Sequence, residues 1–162
     1  MPHEESLKEL EERRAFALAM GGETRLERHR LNGNLDARAR LAYLFDDEAM
    51  VESGMHARSA RTEVRDKSPA DGKVAGFGKV SGRWVAAMSN DFTVMGASSA
   101  LINGKKMRHL KHVANKQGMP LIWMGESTGA RMPDRMGASG RAILGSDPSE
   151  YRRLRETPWV AV

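Results

Sequence analysis

Cysteine is absent from the 162-residue chain. That excludes disulfide scaffolds, zinc ribbons, iron–sulfur sites and cysteine nucleophiles together. Long apolar runs are also missing. The longest are Ala15 to Met20 and Pro120 to Met124, and neither is long enough to span a bilayer. The first twenty residues hold five glutamates and no signal-peptide pattern, which argues against secretion and organelle import. Aromatic residues are only 6% of the chain, and no RNP-type or helix-turn-helix pattern is present, so nucleic acid is a poor partner. The expectation is a soluble cytoplasmic protein with neither a membrane nor a nucleic-acid partner.

What is present suits a globular domain: 40% apolar and 29% charged residues in one domain's length of chain. The charge is uneven. Residues 1–70 hold 12 Lys and Arg against 14 Asp and Glu, whereas residues 71–162 hold 14 against 7. The second part is therefore the expected seat of an anionic partner, a polyphosphate cofactor among the possibilities.

Texture changes near residue 70. Before it, residues 3–19 read as an amphipathic helix with Leu7, Leu10 and Leu18 inward, ended by Gly21-Gly22. A basic helix follows to about Leu31. Asp36 then caps a third helix through Phe45, with Ala37, Leu41, Leu44 and Phe45 on its apolar side. Residues 46–70 read as loop. After residue 70, Lys73 to Val80 and Trp84 to Met88 form a hairpin about Ser81-Gly82. Ser98 to Gln117 reads as a helix with Ser98 at its N-cap, and Leu121 to Met124 as a short buried strand. Helical segments follow Pro133 and run around Tyr151 to Arg155. Trp159 to Val162 reads as the start of a strand, so the chain is expected to be an incomplete piece.

Three constellations could carry chemistry. In the turn at 125–130, strand, small residues and helix leave backbone N–H groups free to hold a developing oxyanion. An ordinary strand-to-helix connection would have the same pattern. The turn also fits G-x-S-x-G, but all five histidines precede Ser127, whereas a nucleophile elbow needs its histidine afterwards. In the helix at 98–117, which has no acidic residue, Lys105, His109, His112 and Lys116 share one face, with Lys106, Arg108 and Lys111 extending the charge. Such a face either meets phosphates or is simply solvated. His109 and His112 have no carboxylate beside them on that helix, so no metal is expected. The third constellation, Asp91 to Ser98, leads small residues into that helix's N-terminus and would favour an anion or a carbonyl oxygen.

Four segments in order resemble the carboxyltransferase (β-type) subunit of biotin-dependent acyl-CoA carboxylases, the propionyl-CoA and acetyl-CoA enzymes. Gly33 to Leu41 (GNLDARARL) is similar to that family's GKLTARERI, and Asp71 to Gly78 (DGKVAGFG) to DGVVTGYG. Ser89 to Ser98 (SNDFTVMGAS) is similar to SQDFTVFGGS, and Glu126 to Asp134 (ESTGARMPD) to DSGGARIQE. The resemblance runs over roughly residues 20–162.

It implies an α/β fold of crotonase-like type, a spiral of ββα units, here incomplete and preceded by N-terminal helices. Residues 1–70 would be a helical extension and loop, and 71–162 the first part of a truncated carboxyltransferase domain. It implies transfer of a carboxyl group from carboxybiotin to an acyl-CoA through an enolate. Biotin would arrive on a partner carrier protein, alongside a biotin carboxylase subunit, and the chain would join an oligomer. The backbone amides of Thr128, Gly129 and Ala130 would hold the enolate oxygen. Gly96, Ala97, Ser98, Lys105, Lys106 and Arg131 would bind the CoA thioester. A biotin-dependent acyl-CoA decarboxylase subunit, or a non-catalytic CoA-binding module, would use the same site. Three positions depart from the pattern. Thr128 and Ala97 stand where that family has glycine, and Pro133 where it has glutamine.

Overall fold

The computed structural model describes residues 2–136 and 157–162. Three helices open the chain: α1 (Pro2–Leu18), α2 (Glu23–Leu31) and α3 (Ala37–Leu44). After the short strand β1 (Met50–Glu52) come 3₁₀ turns, then the hairpin strands β2 (Lys73–Val80) and β3 (Arg83–Asn90). Helix α4 (Leu101–Lys116) leads to β4 (Leu121–Met124), the four-residue helix α5 (Met132–Arg135) and β5 (Trp159–Ala161). The helix expected around Tyr151 to Arg155 lies outside the described residues.

The sheet order follows the chain, β1 to β5. β1–β2 and β2–β3 are antiparallel, whereas β3–β4 and β4–β5 are parallel. Helix α4 makes the crossover between β3 and β4. β2, β3 and α4 thus make a ββα unit that returns to the sheet at β4.

Local chemistry explains these elements. The Asp36 Oδ1 accepts the Arg38 and Ala39 amides at 3.1 and 2.9 Å, which caps α3. At the hairpin, Ser81 and Gly82 have φ of 50° and 77°, and their amides donate to the Asp46 carboxylate. β1 has no period of its own. It exists because Gly76 and Gly78 lack side chains: a Cβ on Gly76 would lie 2.5 Å from the Val51 carbonyl, and one on Gly78 2.5 Å from the Phe45 ring.

The core lies on both faces of the hairpin. On one face Leu26, Leu41 and Phe45 pack with Val74, Val85 and Ala87. On the other Leu110 and Ala114 of α4 pack with Ala75, Ala86, Met88 and Leu121. Alternate strand residues serve alternate layers, as pleating requires. Helices from before residue 70 therefore share a core with the hairpin after it. α1 departs from expectation: Ala17 is buried, but Leu7 and Leu18 remain more than half exposed. No helix among the described residues is long and apolar enough to cross a membrane.

Candidate functional site

Two limbs of chain meet at the C-terminal ends of β3 and β4. The first, Met95 to Ser99, follows β3. Its three residues Met95, Gly96 and Ala97 all have φ between 50° and 60°, a left-handed run that a β-carbon disfavours. The second, Gly125 to Arg131, follows β4. The limbs are laced together. Thr128 N–H donates to the Gly96 carbonyl at 2.9 Å and its hydroxyl to the same oxygen at 3.2 Å. Ser127 Oγ donates to the Ala97 carbonyl at 3.0 Å. Ser99 N–H donates to Gly129 O, and Arg131 N–H to Ser99 O, so Ser99 and Ala130 form a parallel bridge.

This geometry sorts the expected oxyanion donors. The Thr128 amide is consumed by Gly96. The Gly129 amide meets only its neighbour Ser127 Oγ at 3.2 Å, and Ala130 N–H has no acceptor among the described residues. Gly129 has φ of 98°, and a Cβ there would have nothing within 4 Å. The exposed edge at 129–130 is therefore the part of the turn open to a ligand.

Beneath the limbs lies a buried polar layer. Asp71, wholly buried, accepts from Arg131 Nη1 at 2.8 Å and from the Asn103 amide at 2.9 Å. Asn103 Nδ2 donates to the Ser98 and Asp71 carbonyls, and its Oδ1 accepts the Ala100 amide. Asn103 is what opens α4, so the cap expected from Ser98 is made three residues inside the helix instead. Ser98 Oγ accepts from Arg131 Nε at 3.2 Å. Arg131, expected on CoA, is thus a buried tie between the limbs and Asp71. Burial raises the Asp71 pKa despite the neighbouring guanidinium.

Lysines extend this layer. Lys73 Nζ donates to Asn90 Oδ1 at 2.8 Å and to the Ala97 carbonyl at 3.3 Å. Asn90 also accepts from Trp123 Nε1 and donates to the Gly125 and Glu126 carbonyls, which makes it the hub under both limbs. Lys106, expected on CoA phosphates, points inward: it is 7% exposed, and its ammonium donates to the Lys73 and Ala70 carbonyls. A phosphate contact needs a side chain in solvent, so Lys106 is withdrawn from that role. Burial lowers both lysines from 10.5 to about 8. Lys111 is also buried, over the Trp159 ring at 5.2 Å. Lys105, Arg108, His109, His112 and Lys116 form the solvated face of α4.

The structure thus brings Gly96, Ala97 and Ser98 together with Thr128, Gly129, Ala130 and Arg131, and leaves Lys105 outside that group. Sequence reasoning missed Lys73, Asn90 and Asn103. A lysine and two asparagines in apolar elements carry no periodic signal until their burial is known.

The chain matches the family model "Carboxyl transferase domain" over residues 28–144. It is 39% identical over 131 residues to the propionyl-CoA carboxylase beta chain of Cereibacter sphaeroides, covering 79% of this chain and 26% of that one. It is 34% identical over 138 residues to the methylmalonyl-CoA decarboxylase subunit alpha of Veillonella parvula, covering 83% and 27%. Among solved structures, it superposes on transcarboxylase 12S, a hexamer solved with methylmalonyl-coenzyme A and methylmalonic acid bound. There the TM-score is 0.77 and the identity 35%, over 88% of this chain and 28% of that one. A single-chain, multi-domain long-chain acyl-CoA carboxylase gives a TM-score of 0.81 at 26% identity, over 96% and 17%. The α/β fold is the crotonase-like one expected from the sequence. The chain spans about a quarter of the length of the curated relatives it matches.

Proposed function

Because the chain belongs to the carboxyl transferase domain family, we propose that it binds an acyl-CoA as part of a biotin-dependent carboxyl transfer. The thioester carbonyl oxygen is received by the Gly129 and Ala130 amides. When the α-carbon loses its proton, negative charge moves onto that oxygen. Fixed N–H dipoles are stronger partners for the enolate than for the neutral thioester, so they stabilise the reacting state more than the bound one. The carbanionic α-carbon then bonds to the incoming carboxyl carbon. Biotin on a partner carrier protein would supply that carboxyl group, with the bond from its ring nitrogen to the carboxyl carbon breaking as the new C–C bond forms, and the freed ring nitrogen would take the α-proton; no residue of this chain is assigned to either role.

The observation that carries this reading is the exposed 129–130 edge, held in place by the Ser99–Ala130 bridge and the Thr128–Gly96 bond. Ser127 is not a nucleophile in this reading: its hydroxyl donates to Ala97 O, and its oxygen accepts the Gly129 amide. The Thr128 side chain stands against Gly96, where a Cβ would come within 2.5 Å of its methyl carbon. Run in reverse, the same site would serve an acyl-CoA decarboxylase subunit.

Calorimetric titration with propionyl-CoA and its thioether analogue S-propyl-CoA tests the reading. The thioether has no carbonyl oxygen for the amides. We expect it to bind about ten-fold more weakly, the worth of one or two neutral hydrogen bonds. Equal affinities would remove the amides from the site.

A further inference from the structure

Strands β2 and β3 meet beneath the two limbs at the end of the hairpin away from its turn. Lys73 opens β2, Asn90 closes β3, and the two are cross-strand partners. Their side chains therefore share one face of the sheet. Both residues are buried, at 2% and 3% exposure. Burying an ammonium is costly unless its donors are used. In the family motifs set beside this chain above, valine stands at the position of Lys73 and glutamine at that of Asn90. The buried cation is thus this chain's own feature, and filling that place with apolar atoms does not require it.

Every bond of the pair leads toward a limb. Lys73 Nζ donates to the Ala97 carbonyl of the first limb at 3.3 Å and to Asn90 Oδ1 at 2.8 Å, and it lies 5.7 Å from the centroid of the Trp123 ring. Asn90 Oδ1 also accepts from Trp123 Nε1 at 3.3 Å. With two donors on its oxygen, the Asn90 amide can present only its NH2 group to the second limb. Nδ2 donates there to the Glu126 carbonyl at 3.1 Å and the Gly125 carbonyl at 3.4 Å. Turned over, the same amide would set its oxygen against those two carbonyls. The first limb is linked onward as well. The Ala97 carbonyl accepts from Ser127 Oγ at 3.0 Å, and Ser127 Oγ accepts the Gly129 amide at 3.2 Å. Two oxygens, Ala97 O and Ser127 Oγ, thus lie between the ammonium and the Gly129 amide. Lys106 is a contrast: it is equally withdrawn from water, but its ammonium donates to the Lys73 and Ala70 carbonyls, neither of which belongs to a limb.

We infer that Lys73 and Asn90 are a pair of positioning residues: together they set the separation of the two limbs and so aim the Gly129 and Ala130 amides at the thioester carbonyl. The inference rests on the proposed function for the identity of the ligand. Neither side chain touches that ligand. Both act through the carbonyls they hold, at Ala97 on one limb and at Gly125 and Glu126 on the other. The aim matters because a hydrogen bond weakens steeply as it bends, and a donor that is present but loosely held loses most of its value.

The test is calorimetric titration of the wild type, Lys73→Met, Asn90→Asp and Lys106→Met with propionyl-CoA and with S-propyl-CoA. Circular dichroism checks each fold. Lys73→Met removes the ammonium and keeps a side chain of similar length. Asn90→Asp keeps the acceptor for Lys73 and Trp123 but replaces the NH2 donor with an oxygen facing the Gly125 and Glu126 carbonyls. The readout is the ratio of the two affinities, because only the thioester uses the amides and general damage to the fold would weaken both ligands alike. We expect the wild type to prefer propionyl-CoA by about ten-fold. Lys73→Met and Asn90→Asp should each bind S-propyl-CoA as the wild type does and lose most of the preference for the thioester. Lys106→Met should keep it. A preference retained in Lys73→Met and Asn90→Asp, whether both ligands bind normally or both weaken together, overturns the inference and leaves the acyl-CoA reading intact. So does an equal loss of preference in Lys106→Met, which would make it a property of buried charge in general. Equal affinities for the two ligands in the wild type overturn both the inference and the reading it rests on.

Discussion

Replacing Lys73 with methionine tests the protonation of the buried layer under the two limbs. Lys73 and Lys106 are 2% and 7% exposed, and burial lowers both from 10.5 to about 8. A base whose folded-state pKa is depressed holds its proton more weakly folded than unfolded. Stability is therefore lowest below about pH 8, rises as pH climbs, and is fully gained by the unfolded lysine value. Each lysine contributes a slope of up to about 1.4 kcal/mol per pH unit, so the pair contributes up to about 2.8. Solvent screening takes little from these figures, because neither ammonium is open to water. Between about pH 8.5 and 9.5 carboxylates have finished titrating and exposed lysines have barely begun, so the buried pair dominates. The assay is urea unfolding across that window. The wild type should gain stability steeply, and Lys73→Met should show about half the slope. At neutral pH the variant should be at least as stable as the wild type. It loses the bonds to Asn90 and Ala97 but no longer buries a charge, and Asn90 Oδ1 keeps Trp123. A flat wild-type profile, or an undiminished slope in the variant, would mean that the buried ammonium groups do not set the pH dependence.

Other perturbations test the frame around the site. Arg131→Met should cost about 3–5 kcal/mol in urea unfolding, because it strands the buried Asp71 carboxylate; adding Asp71→Asn should recover much of that loss, and additive costs would count against a coupled pair. Gly96→Ala would drive a Cβ to 2.5 Å from the Thr128 methyl carbon at φ of 60°, so it should lower Tm and weaken propionyl-CoA binding. Adding Thr128→Gly should restore part of both, and no recovery would mean the clash is not the cause. Gly21→Ala would place a Cβ 2.3 Å from the Thr93 carbonyl oxygen and should push α2 away from the loop after β3, which costs about 1–3 kcal/mol in urea unfolding; an unchanged stability would show that the close approach at Gly21 is not needed.

Much of the fold was legible because local signals and tertiary packing agreed. Asp36 announces α3 and does cap it, and Ser81-Gly82 announces a hairpin and forms one. β1 was not legible. Its three residues acquire strand geometry only by pairing with β2, opposite the glycines that make room for it. The site was half legible. Small residues at 96–98 and 127–130 pointed to backbone chemistry, and the structure lays those segments side by side. The charged side chains were misread because a lysine or arginine looks the same in sequence whether solvated or spent internally. Lys106 read as a contact for CoA phosphates and Arg131 as a CoA contact, yet they donate to buried carbonyls, a carboxylate and a hydroxyl. The basic face of α2 was visible as a run of charge. Its place beside the loop after β3 depends on the hydrogen bond from the Gly21 amide to Thr93 Oγ1, which spans 72 residues of sequence.

The proposed function requires the Gly129 and Ala130 amides to polarise an acyl-CoA carbonyl. The direct measurement is the infrared carbonyl band of propionyl-CoA, isotopically labelled at the thioester carbon, free and bound to the purified chain. Two N–H donors on that oxygen draw charge onto it and weaken the C=O bond. The bound band should lie at lower wavenumber than the free one. A band at the free position, under conditions where calorimetry shows the ligand bound, would contradict it.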